Sequence, residues 1–378
     1  MPGPACDLRA ALLAATVALA LALCGCAPEH VRVSAEQIRA QPGVVAREFI
    51  AEDMPTAMCH ASTLCEVDGA LIAAWFGGDY EGQHEVAIWS SRKPRGGSWS
   101  RPVQLVDGTV IGDRRYACWN PVLFKPAGGP LMLFYKVGAS PRAWWGMVAT
   151  SADGGATWGM PQRLPDGILG PIKDKPIQLP DGTLLSPSST EDAGLRVFSQ
   201  GWRVYLERSS DLGQTWRRLG PLNRAQEIDA IQPCLLRHGG DRLQLLARSR
   251  SGRIAQTWSL DGGLSWGEMT LSELPNPNAG IDAVTLRDGR QLVVYNHCTA
   301  GREVLNVALS ADGVRWQAAL VLEDQPGEYS YPAVIQTADG LVHITYSWQR
   351  RRVSHVVVDP AHLVLRDMAA GSWPGPGP

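Results

Sequence analysis

The sequence predicts an all-β protein, a six-bladed β-propeller made of four-stranded antiparallel blades. Two repeats and the hydropathy pattern predict this fold. A turn motif spelled with Ser, Asp, Gly and Trp returns at intervals of about 50 to 60 residues, which is the range of propeller blades. A second repeat, a pair of short apolar strands, alternates with the turn motif and occurs six times. Apolar runs are short and alternating, without a long amphipathic helix pattern, which favours antiparallel β structure.

The turn motif is clearest at 151–158, with the sequence SADGGATW, and it marks the outer half of a blade. Copies follow at 209–216 and 259–266, and a copy one residue shorter lies at 310–316. An eroded copy at 91–99 keeps the Ser, the Gly and the Trp but has lost the Asp. Asp and Ser side chains accept hydrogen bonds from nearby backbone N–H groups, Gly adopts positive φ, and Trp buries its ring beside the turn. We therefore interpret the motif as structural.

Six segments share a second plan and supply the inner half of each blade. Each has a polar residue, often followed by Pro, then an apolar strand, a turn that usually contains Asp-Gly, and a second apolar strand. The segments run from His60 to Trp75, Asn120 to Tyr135, Lys175 to Ser188, Gln232 to Arg248, Asp282 to Asn296 and Tyr331 to Trp348. Six copies imply six blades. The last blade lacks the turn motif, so we expect segment 44–50 to supply its outer strand and close the ring.

The first 26 residues have the pattern of an export signal. An uninterrupted apolar run at 10–23 follows Arg9, and this run is shorter than a typical transmembrane helix. The run ends in Leu-Cys-Gly-Cys, which resembles a bacterial lipobox. We therefore predict that Cys26 is lipidated and that the protein is exported to the bacterial cell envelope, on the periplasmic or the surface side. An ordinary cleaved signal peptide, with Cys26 incidental, is the alternative.

Composition divides the rest of the chain. We expect a tether at 27–45, the propeller at 46–365 and a disordered Gly/Pro-rich tail at 366–378. A propeller gains blades without gaining cores, so the length fits one domain, which we expect to be a monomer. The formal net charge is −2 and both signs are mixed along the chain, which argues against a nucleic-acid partner. We expect contact with the membrane through the lipid anchor only.

Five cysteines lie outside the signal, an odd number without the spacing of metal ligands. Cys59 and Cys65 could pair in an oxidising compartment, and singly buried thiols are the alternative. We therefore predict neither a metal nor another cofactor.

The predicted topology sends the polar repeat positions to one rim. If strands alternate up and down, both kinds of turn share one rim, and the inner strands begin on the opposite rim. That opposite rim would collect hydrogen-bonding groups, aromatic faces and carboxyl groups, which a sugar site needs. The residues predicted to bind a glycan substrate there are His60, His84, Arg115, Asn120, Lys175, Gln232, Arg248, Arg250, Asp282, Asn296, His297, Trp348 and Arg350.

The turn motif SxDxGxTW is called an Asp box, and over roughly residues 55–360 the sequence resembles the sialidase or neuraminidase superfamily and its BNR-repeat relatives. The resemblance implies an exo-glycosidase that hydrolyses a terminal, acidic sugar from glycans. Sialidases of this fold use a Tyr nucleophile assisted by a Glu, an Asp acid/base and three Arg residues that hold the substrate carboxylate. In the region of the acid/base, the loop after the second strand of blade 1 offers Asp79 and Glu81.

The resemblance places the nucleophile at the opening of the sixth blade. Tyr329 or Tyr331 would take this role, and Tyr331 fits the repeat position better. Glu227 lies in the region of the helper Glu, with Asp229 as the alternative. The helper matters because a Tyr hydroxyl is a poor nucleophile until a neighbouring carboxylate takes its proton.

The match to the three sialidase arginines is incomplete. Arg248 stands where the second Arg is expected, but blade 1 has His60 in the region of the first. Blade 5 has Asn296 and His297 in the region of the third, with Arg302 displaced from it. An imidazole cannot replace a bidentate guanidinium without loss, so the substrate need not be a standard terminal sialic acid.

Two other functions fit the same rim. A uronate-directed lyase, or a hydrolase using His60, Glu81 or His84, and His297, would perform a different reaction there. A non-catalytic carbohydrate-binding propeller would use the rim for binding alone.

Overall fold

The repeats form sheets in the computed structural model, which describes residues 32–109, 114–191 and 201–375. Within these residues, six antiparallel sheets are arranged as the blades of a β-propeller, as predicted. The predicted signal and the lipidation site at Cys26 lie outside the described residues. No helix in the described ranges is both long and apolar enough to cross a membrane.

Each blade starts with its inner strand and continues outwards. Helix α1 (Ala35–Arg39) and strand β1 (Val44–Phe49) precede the first blade. Blade 1 contains β2 (Met58–Val67), β3 (Ala70–Gly78), β4 (Ala87–Lys93) and β5 (Val103–Val106). Blade 2 contains β6 (Cys118–Phe124), β7 (Leu131–Gly138), β8 (Trp144–Ser151) and β9 (Gln162–Arg163). Blade 3 contains β10 (Ile177–Gln178), β11 (Leu184–Glu191), β12 (Trp202–Ser209) and β13 (Arg217–Leu219).

The second half of the ring repeats this order. Blade 4 contains β14 (Ala230–Arg237), β15 (Leu243–Ser249), β16 (Arg253–Ser259) and β17 (Thr270–Pro275). Blade 5 contains β18 (Asp282–Thr285), β19 (Gln291–Tyr295), β20 (Val304–Ser310) and β21 (Gln317–Asp324). Blade 6 contains β22 (Tyr329–Gln336), β23 (Val342–Trp348) and β24 (Arg352–Val358). The final strand is β25 (Arg366–Asp367).

Strand β1 completes the sixth blade and so confirms the predicted ring closure. It pairs antiparallel with β24, with Arg47 opposite Val356. The contact continues past the strand, because the N–H of Ile50 donates to the carbonyl of Val353 at 3.0 Å. One sheet therefore contains both an early and a late segment of the chain.

Two segments outside the predicted propeller limits are ordered against blade 5. In the expected tether, Ser34 forms a capping box with Gln37 at the start of α1, and Val33 N–H donates to Asp324 at 2.6 Å. In the expected disordered tail, β25 pairs with β21, and a 3₁₀ turn follows at Ala369–Gly371. The Gly and Pro content of the tail did not reveal these contacts, because they depend on the edge of a distant sheet.

The Asp boxes connect the third and fourth strands of their blades, as predicted. In the first full copy, Asp153 Oδ1 accepts from Thr157 N–H at 2.8 Å, and Asp153 Oδ2 accepts from the Thr157 hydroxyl at 2.5 Å. In the next copy, similar hydrogen bonds from Thr215 lower the pKa of Asp211 to about 2. The boxes are therefore turns held by an ionised carboxylate.

The inner strands carry a repeated bulge that explains how the site is built. Ala61, Asn120, Gln232 and Tyr331 all have φ between 35° and 54°, and the strand register shifts at each of them. A non-Gly residue rarely adopts positive φ, and a bulge redirects the side chains around it. The irregularity therefore lies at the equivalent position of the inner strand in these four blades.

Candidate active site

Tyr331 lies at the centre of the candidate site, on the bulge of the blade 6 inner strand. Arg248 Nη1 donates to its hydroxyl oxygen at 3.0 Å, and Gln232 Nε2 donates to the same oxygen at 3.4 Å. Arg248 Nη1 also donates to Gln232 Oε1 at 3.1 Å, which fixes the amide orientation. The sequence prediction therefore brings three of its residues from blades 4 and 6 into contact.

His60 packs against Tyr331 from blade 1, with ring centroids 4.2 Å apart. Its Nδ1 lies 2.8 Å from the Ser347 hydroxyl, which accepts from Ala61 N–H. Its Nε2 is buried and has no hydrogen-bond partner among the described residues. Burial, followed by the nearby positive charges, keeps the pKa of His60 well below its ordinary value, so the ring is neutral.

Four cations surround this aromatic pair. Arg248 and Arg302 each have their guanidinium carbon 5.9 Å from the Tyr331 ring centroid, and Lys173 Nζ lies at 6.0 Å. Arg350 is the fourth cation, and after burial its charge contributes most to the lowered pKa of His60. Such a concentration of positive charge at one rim favours an anionic ligand.

Arg350 and Arg302 share one carboxylate. Arg350 Nε donates to both oxygens of Glu328 at 3.0 Å, and Arg302 Nη1 donates to Glu328 Oε1 at 3.0 Å. Burial raises the pKa of Glu328, but the charges of Arg350 and Arg302 outweigh it and the net shift is downward. Arg350 Nη1 also donates to Glu81 of blade 1 at 2.5 Å. The network therefore joins blades 1, 5 and 6.

The Arg350 backbone is held in an uncommon conformation. Gln349 and Arg350 have φ values of 51° and 54° in the turn between β23 and β24. Cys59 N–H donates to the Arg350 carbonyl at 2.8 Å, which anchors the turn to blade 1. Backbone strain of this kind costs about 1 to 3 kcal/mol and persists only where neighbouring contacts support it. These contacts direct the guanidinium into the site.

Two lysines connect three blades near Tyr331, and of these Lys173 is buried and Lys175 is partly exposed. Lys173 Nζ donates to Asp174 at 2.5 Å and to the carbonyls of Ile281 and Pro332 at 2.7 and 2.8 Å. Lys175, a predicted binding residue, instead donates to both oxygens of Asp282 at 2.9 Å. Asp282 is itself 2% exposed, so this predicted pair forms part of the floor of the site.

The same floor contains a possible ligand set for a metal. Oxygen or sulfur atoms of Asp174, Cys234 and Asp282 lie within 4.8 Å of one another. However, Lys173 and Lys175 already neutralise the two carboxylates, and burial raises the pKa of the Cys234 thiol well above its ordinary value. A protonated thiol and two paired carboxylates are poor ligands for a cation. The residues present do not fit a metal ion.

The structure does not assemble the predicted Tyr–Glu pair. Glu227 lies on an exposed turn and pairs with Arg224 at 3.3 Å. Asp229 accepts from Trp202 N–H at 3.1 Å and lies 3.5 Å from Arg250. Among the described residues, neither carboxylate contacts Tyr331. The side chain that contacts the Tyr331 hydroxyl is instead Gln232, because it lies on the blade 4 bulge. The spacing of residues along the chain did not indicate this contact.

Tyr329 is directed away from the site. Its ring is 2% exposed in the apolar core that joins blades 5 and 6, and its hydroxyl donates to Pro326 at 3.4 Å. Trp348 packs against the same ring, with centroids 6.3 Å apart, and edge-on against Phe49 of β1 at 5.3 Å. Both predicted residues therefore contribute to packing, and Tyr331 remains the nucleophile candidate.

Blade 5 directs its predicted polar residues away from Tyr331. Asn296 Nδ2 donates to the carbonyls of Val304 and Tyr329 at 2.6 and 2.8 Å. His297 bonds Tyr295 through Nδ1 and the Gly371 carbonyl through Nε2. His297 thus belongs to the contact with the C-terminal segment, and the set of His60, Glu81 and His297 considered for other chemistry is not brought together.

The remaining predicted residues lie at the edge of the site. His84 and Asp79 are exposed on the loop that carries Glu81, whereas Arg115 donates to the Glu85 carbonyl at 2.8 Å. Asn120 is buried at the blade 2 bulge. Arg250 lies over the Trp202 ring, 4.0 Å from its centroid. None of these side chains contacts Tyr331 in the part of the chain that the structure describes.

Four residues of this region were missing from the set of predicted site residues. Lys173 lies just before Lys175 in the sequence, and Glu328 lies just before Tyr329. The sequence places Arg302 away from the expected position of the third sialidase arginine. The signal that could have found Arg302 and Glu328 is opposite charge on consecutive rim loops of blades 5 and 6. Glu191 is a fourth: it ends β11, and burial raises its pKa although Arg248, Arg142 and Arg250 oppose the shift.

The sequence matches a protein-family model over most of its length. The model described as the BNR repeat-like domain matches residues 69–344, which is more than half of the chain. The chain belongs to this family. A search of curated proteins found no match to this BNR repeat-like protein.

Solved structures similar to the BNR repeat-like protein include two named sialidases. The Hadza microbial sialidase Hz136 is 19% identical, with a TM-score of 0.70 and coverage of 82% of this chain and 67% of the other. The intramolecular trans-sialidase from Ruminococcus gnavus is 13% identical, with a TM-score of 0.66 and coverage of 84% and 97%. A Dyadobacter fermentans protein of unknown function is 15% identical, with a TM-score of 0.69 and coverage of 85% and 99%. These similarities show a sialidase-like fold.

Proposed function

We propose that this protein is a sialidase-like exo-glycosidase that hydrolyses a terminal acidic sugar from glycans. One observation carries the proposal: Arg248, Arg302, Arg350 and Lys173 from four blades surround the aromatic pair of Tyr331 and His60. A guanidinium binds a carboxylate through two parallel hydrogen bonds, so such a cluster suits the carboxylate of an acidic sugar. The Ruminococcus gnavus neighbour was solved with oseltamivir carboxylate, which is consistent with this ligand class.

Tyr331 and Glu81 have complementary proposed roles. Tyr331 would attack the anomeric carbon and displace the leaving sugar while its hydroxyl proton passes to solvent water, and a second water would then hydrolyse the glycosyl–tyrosine bond. A neutral hydroxyl approaches an anionic sugar with less repulsion than a carboxylate does. Arg248, which donates to the Tyr331 hydroxyl oxygen, would stabilise the negative charge that develops there. Glu81 is a half-buried carboxyl from blade 1, which adjoins blade 6, and once it has taken up a proton from solvent it would donate that proton to the leaving sugar.

A carbohydrate-binding propeller without activity is the second candidate. It is favoured by the identity of the groups on the Tyr331 hydroxyl, which are a guanidinium and an amide. Neither group can accept the tyrosine proton, and among the described residues no carboxylate contacts this hydroxyl. Binding of acidic sugars needs the cationic cluster but does not need a base.

Turnover and binding assays on matched variants test the proposal. The mature protein is incubated with aryl sialosides, aryl uronides and neutral aryl glycosides, while release of the phenol and formation of an unsaturated sugar are recorded. We expect release from an acidic glycoside, and a loss of at least about a hundredfold in Tyr331→Phe and Glu81→Gln. Glu227→Gln is the control, since Glu227 lies on an exposed turn. Sugar binding without any turnover would favour the second candidate.

We also retain the cell-envelope lipoprotein as a proposal. It rests on the apolar run and the lipobox-like sequence before Cys26. Mass spectrometry of the protein from a bacterial host, compared with Cys26→Ser, tests whether that residue carries acyl chains.

A further inference from the structure

We propose that Glu81 is an internal competitor for Arg350, which the substrate carboxylate must displace before the sugar is hydrolysed. This inference rests on the proposed function and deepens it. It couples recognition of the acidic group to release of the proposed proton donor. The argument requires that Arg350 be held in place, that its contact with Glu81 be exchangeable, and that the ligand offer a group of the same kind.

Arg350 is held in place by contacts that do not involve Glu81. Its Nε donates to both oxygens of Glu328, and Cys59 N–H donates to its carbonyl. Glu328 is in turn held by Arg302. The guanidinium therefore keeps its position when Glu81 leaves, and it presents its remaining edge to the site.

The contact between Arg350 and Glu81 is accessible and joins distant parts of the chain. The side chains are 32% and 34% exposed, and Arg350 Nη1 donates to Glu81 Oε2 at 2.5 Å. Ion pairs with this exposure contribute little net stability, because solvent screens them. Glu81 also lies on the loop between β3 and β4, next to Gly82, which has a φ of 85°. The loop is thus anchored to Arg350 through one exchangeable side chain.

A carboxylate on the ligand competes for the same hydrogen bonds. Glu81 and an acidic sugar both offer a planar, negatively charged pair of oxygens, which is the geometry a guanidinium binds best. A neutral sugar offers only hydroxyl groups and cannot replace the ion pair. Displacement therefore selects an acidic sugar and frees the Glu81 carboxylate, which takes up a proton from solvent before it can protonate the glycosidic oxygen.

Removal of the competitor should tighten binding while abolishing turnover. Isothermal titration with N-acetylneuraminic acid and glucuronic acid measures affinity in the wild type, Glu81→Gln and Glu85→Gln. For the acid that binds, we expect Glu81→Gln to tighten binding about two- to fivefold, the range of a partly exposed ion pair. The same substitution should lower kcat on the corresponding aryl glycoside and lower its KM.

Glu85→Gln is the matched control, because it removes one negative charge from the same loop. Glu85 accepts from Asp79 N–H at 3.2 Å and makes no ion pair with Arg350 among the described residues. Equal tightening in both variants would indicate a general charge effect and overturn the inference. Unchanged or weaker binding in Glu81→Gln would overturn it as well, while leaving the proposed function intact. If neither acid binds any of the three proteins, the proposed function fails and this inference fails with it.

Discussion

Gln232 should limit the nucleophilicity of Tyr331, and Gln232→Glu tests this directly. The substitution keeps the side-chain size and replaces the amide, whose Nε2 lies 3.4 Å from the Tyr331 hydroxyl oxygen, with a carboxylate. Arg248 Nη1 already donates to Gln232 Oε1 at 3.1 Å, so the new charge gains a charge-assisted hydrogen bond. The variant therefore places a base next to the hydroxyl without an unpaired charge.

The expected gain is smaller than that of an ideal general base. A well-placed base contributes about 10²- to 10⁴-fold, but the 3.4 Å separation is long for a proton acceptor, and Arg248 competes for the carboxylate. We therefore expect kcat/KM on the preferred aryl glycoside to rise about ten- to hundredfold. If the wild type has no measurable turnover, we expect activity to appear for the first time in Gln232→Glu.

Two controls separate this explanation from others. Gln232→Leu removes the amide without adding a base and should not increase turnover. In the double variant Gln232→Glu, Tyr331→Phe, the gain should disappear, because the base then has no hydroxyl to act on. A gain that survives in the double variant, or an equal gain in Gln232→Leu, would refute the role of Tyr331 as the nucleophile.

Three further substitutions have defined outcomes. Arg350→Lys should weaken binding of the acidic sugar about tenfold in titration calorimetry, because an ammonium cannot form a bidentate contact. Lys173→Met should lower the free energy of unfolding by about 1 to 3 kcal/mol in urea, since it leaves Asp174 buried without its partner while burial raises the pKa of Asp174 and favours its neutral form. For Glu48, the hydrogen bond from His355, and then Lys93, lowers the pKa from 4.5 to about 2. Wild-type stability should therefore fall as pH drops from 4.5 to 2, and this loss should be smaller in Glu48→Gln, where only the other carboxylates with lowered pKa values, such as Asp211, still contribute.

Repetition made the fold predictable from the sequence. Each inner hairpin and each Asp box has the same residue types at similar spacing, so the six copies supported one another. Segment 44–50 was found by exclusion, because the last blade lacked an outer strand. The missed elements, α1 and β25, have no repeated counterpart, and their order depends on contacts with blade 5.

The site was predictable only where it follows the repeat. His60, Gln232 and Tyr331 lie at or next to equivalent bulges, so their shared position could be inferred. Arg350 of blade 6 meets Glu81 of the adjoining blade 1, although 269 positions separate them in sequence. Loop length and side-chain direction decide such contacts, and neither repeats between blades. For this reason Glu227 and His297, although they lie in the expected regions, contact Arg224 and Tyr295 rather than Tyr331.

The joint sheet formed by β1 and β24 has a consequence for biosynthesis. The ribosome makes β1 before any blade, yet its partner strand β24 is made after every other strand except β25. Until then the nascent chain has an unpaired strand at each end, and exposed strand edges invite pairing with other chains. Long-range pairing of this kind is also slow. A chain that stalls before β24 cannot complete the ring, so full-length synthesis itself acts as a checkpoint for folding.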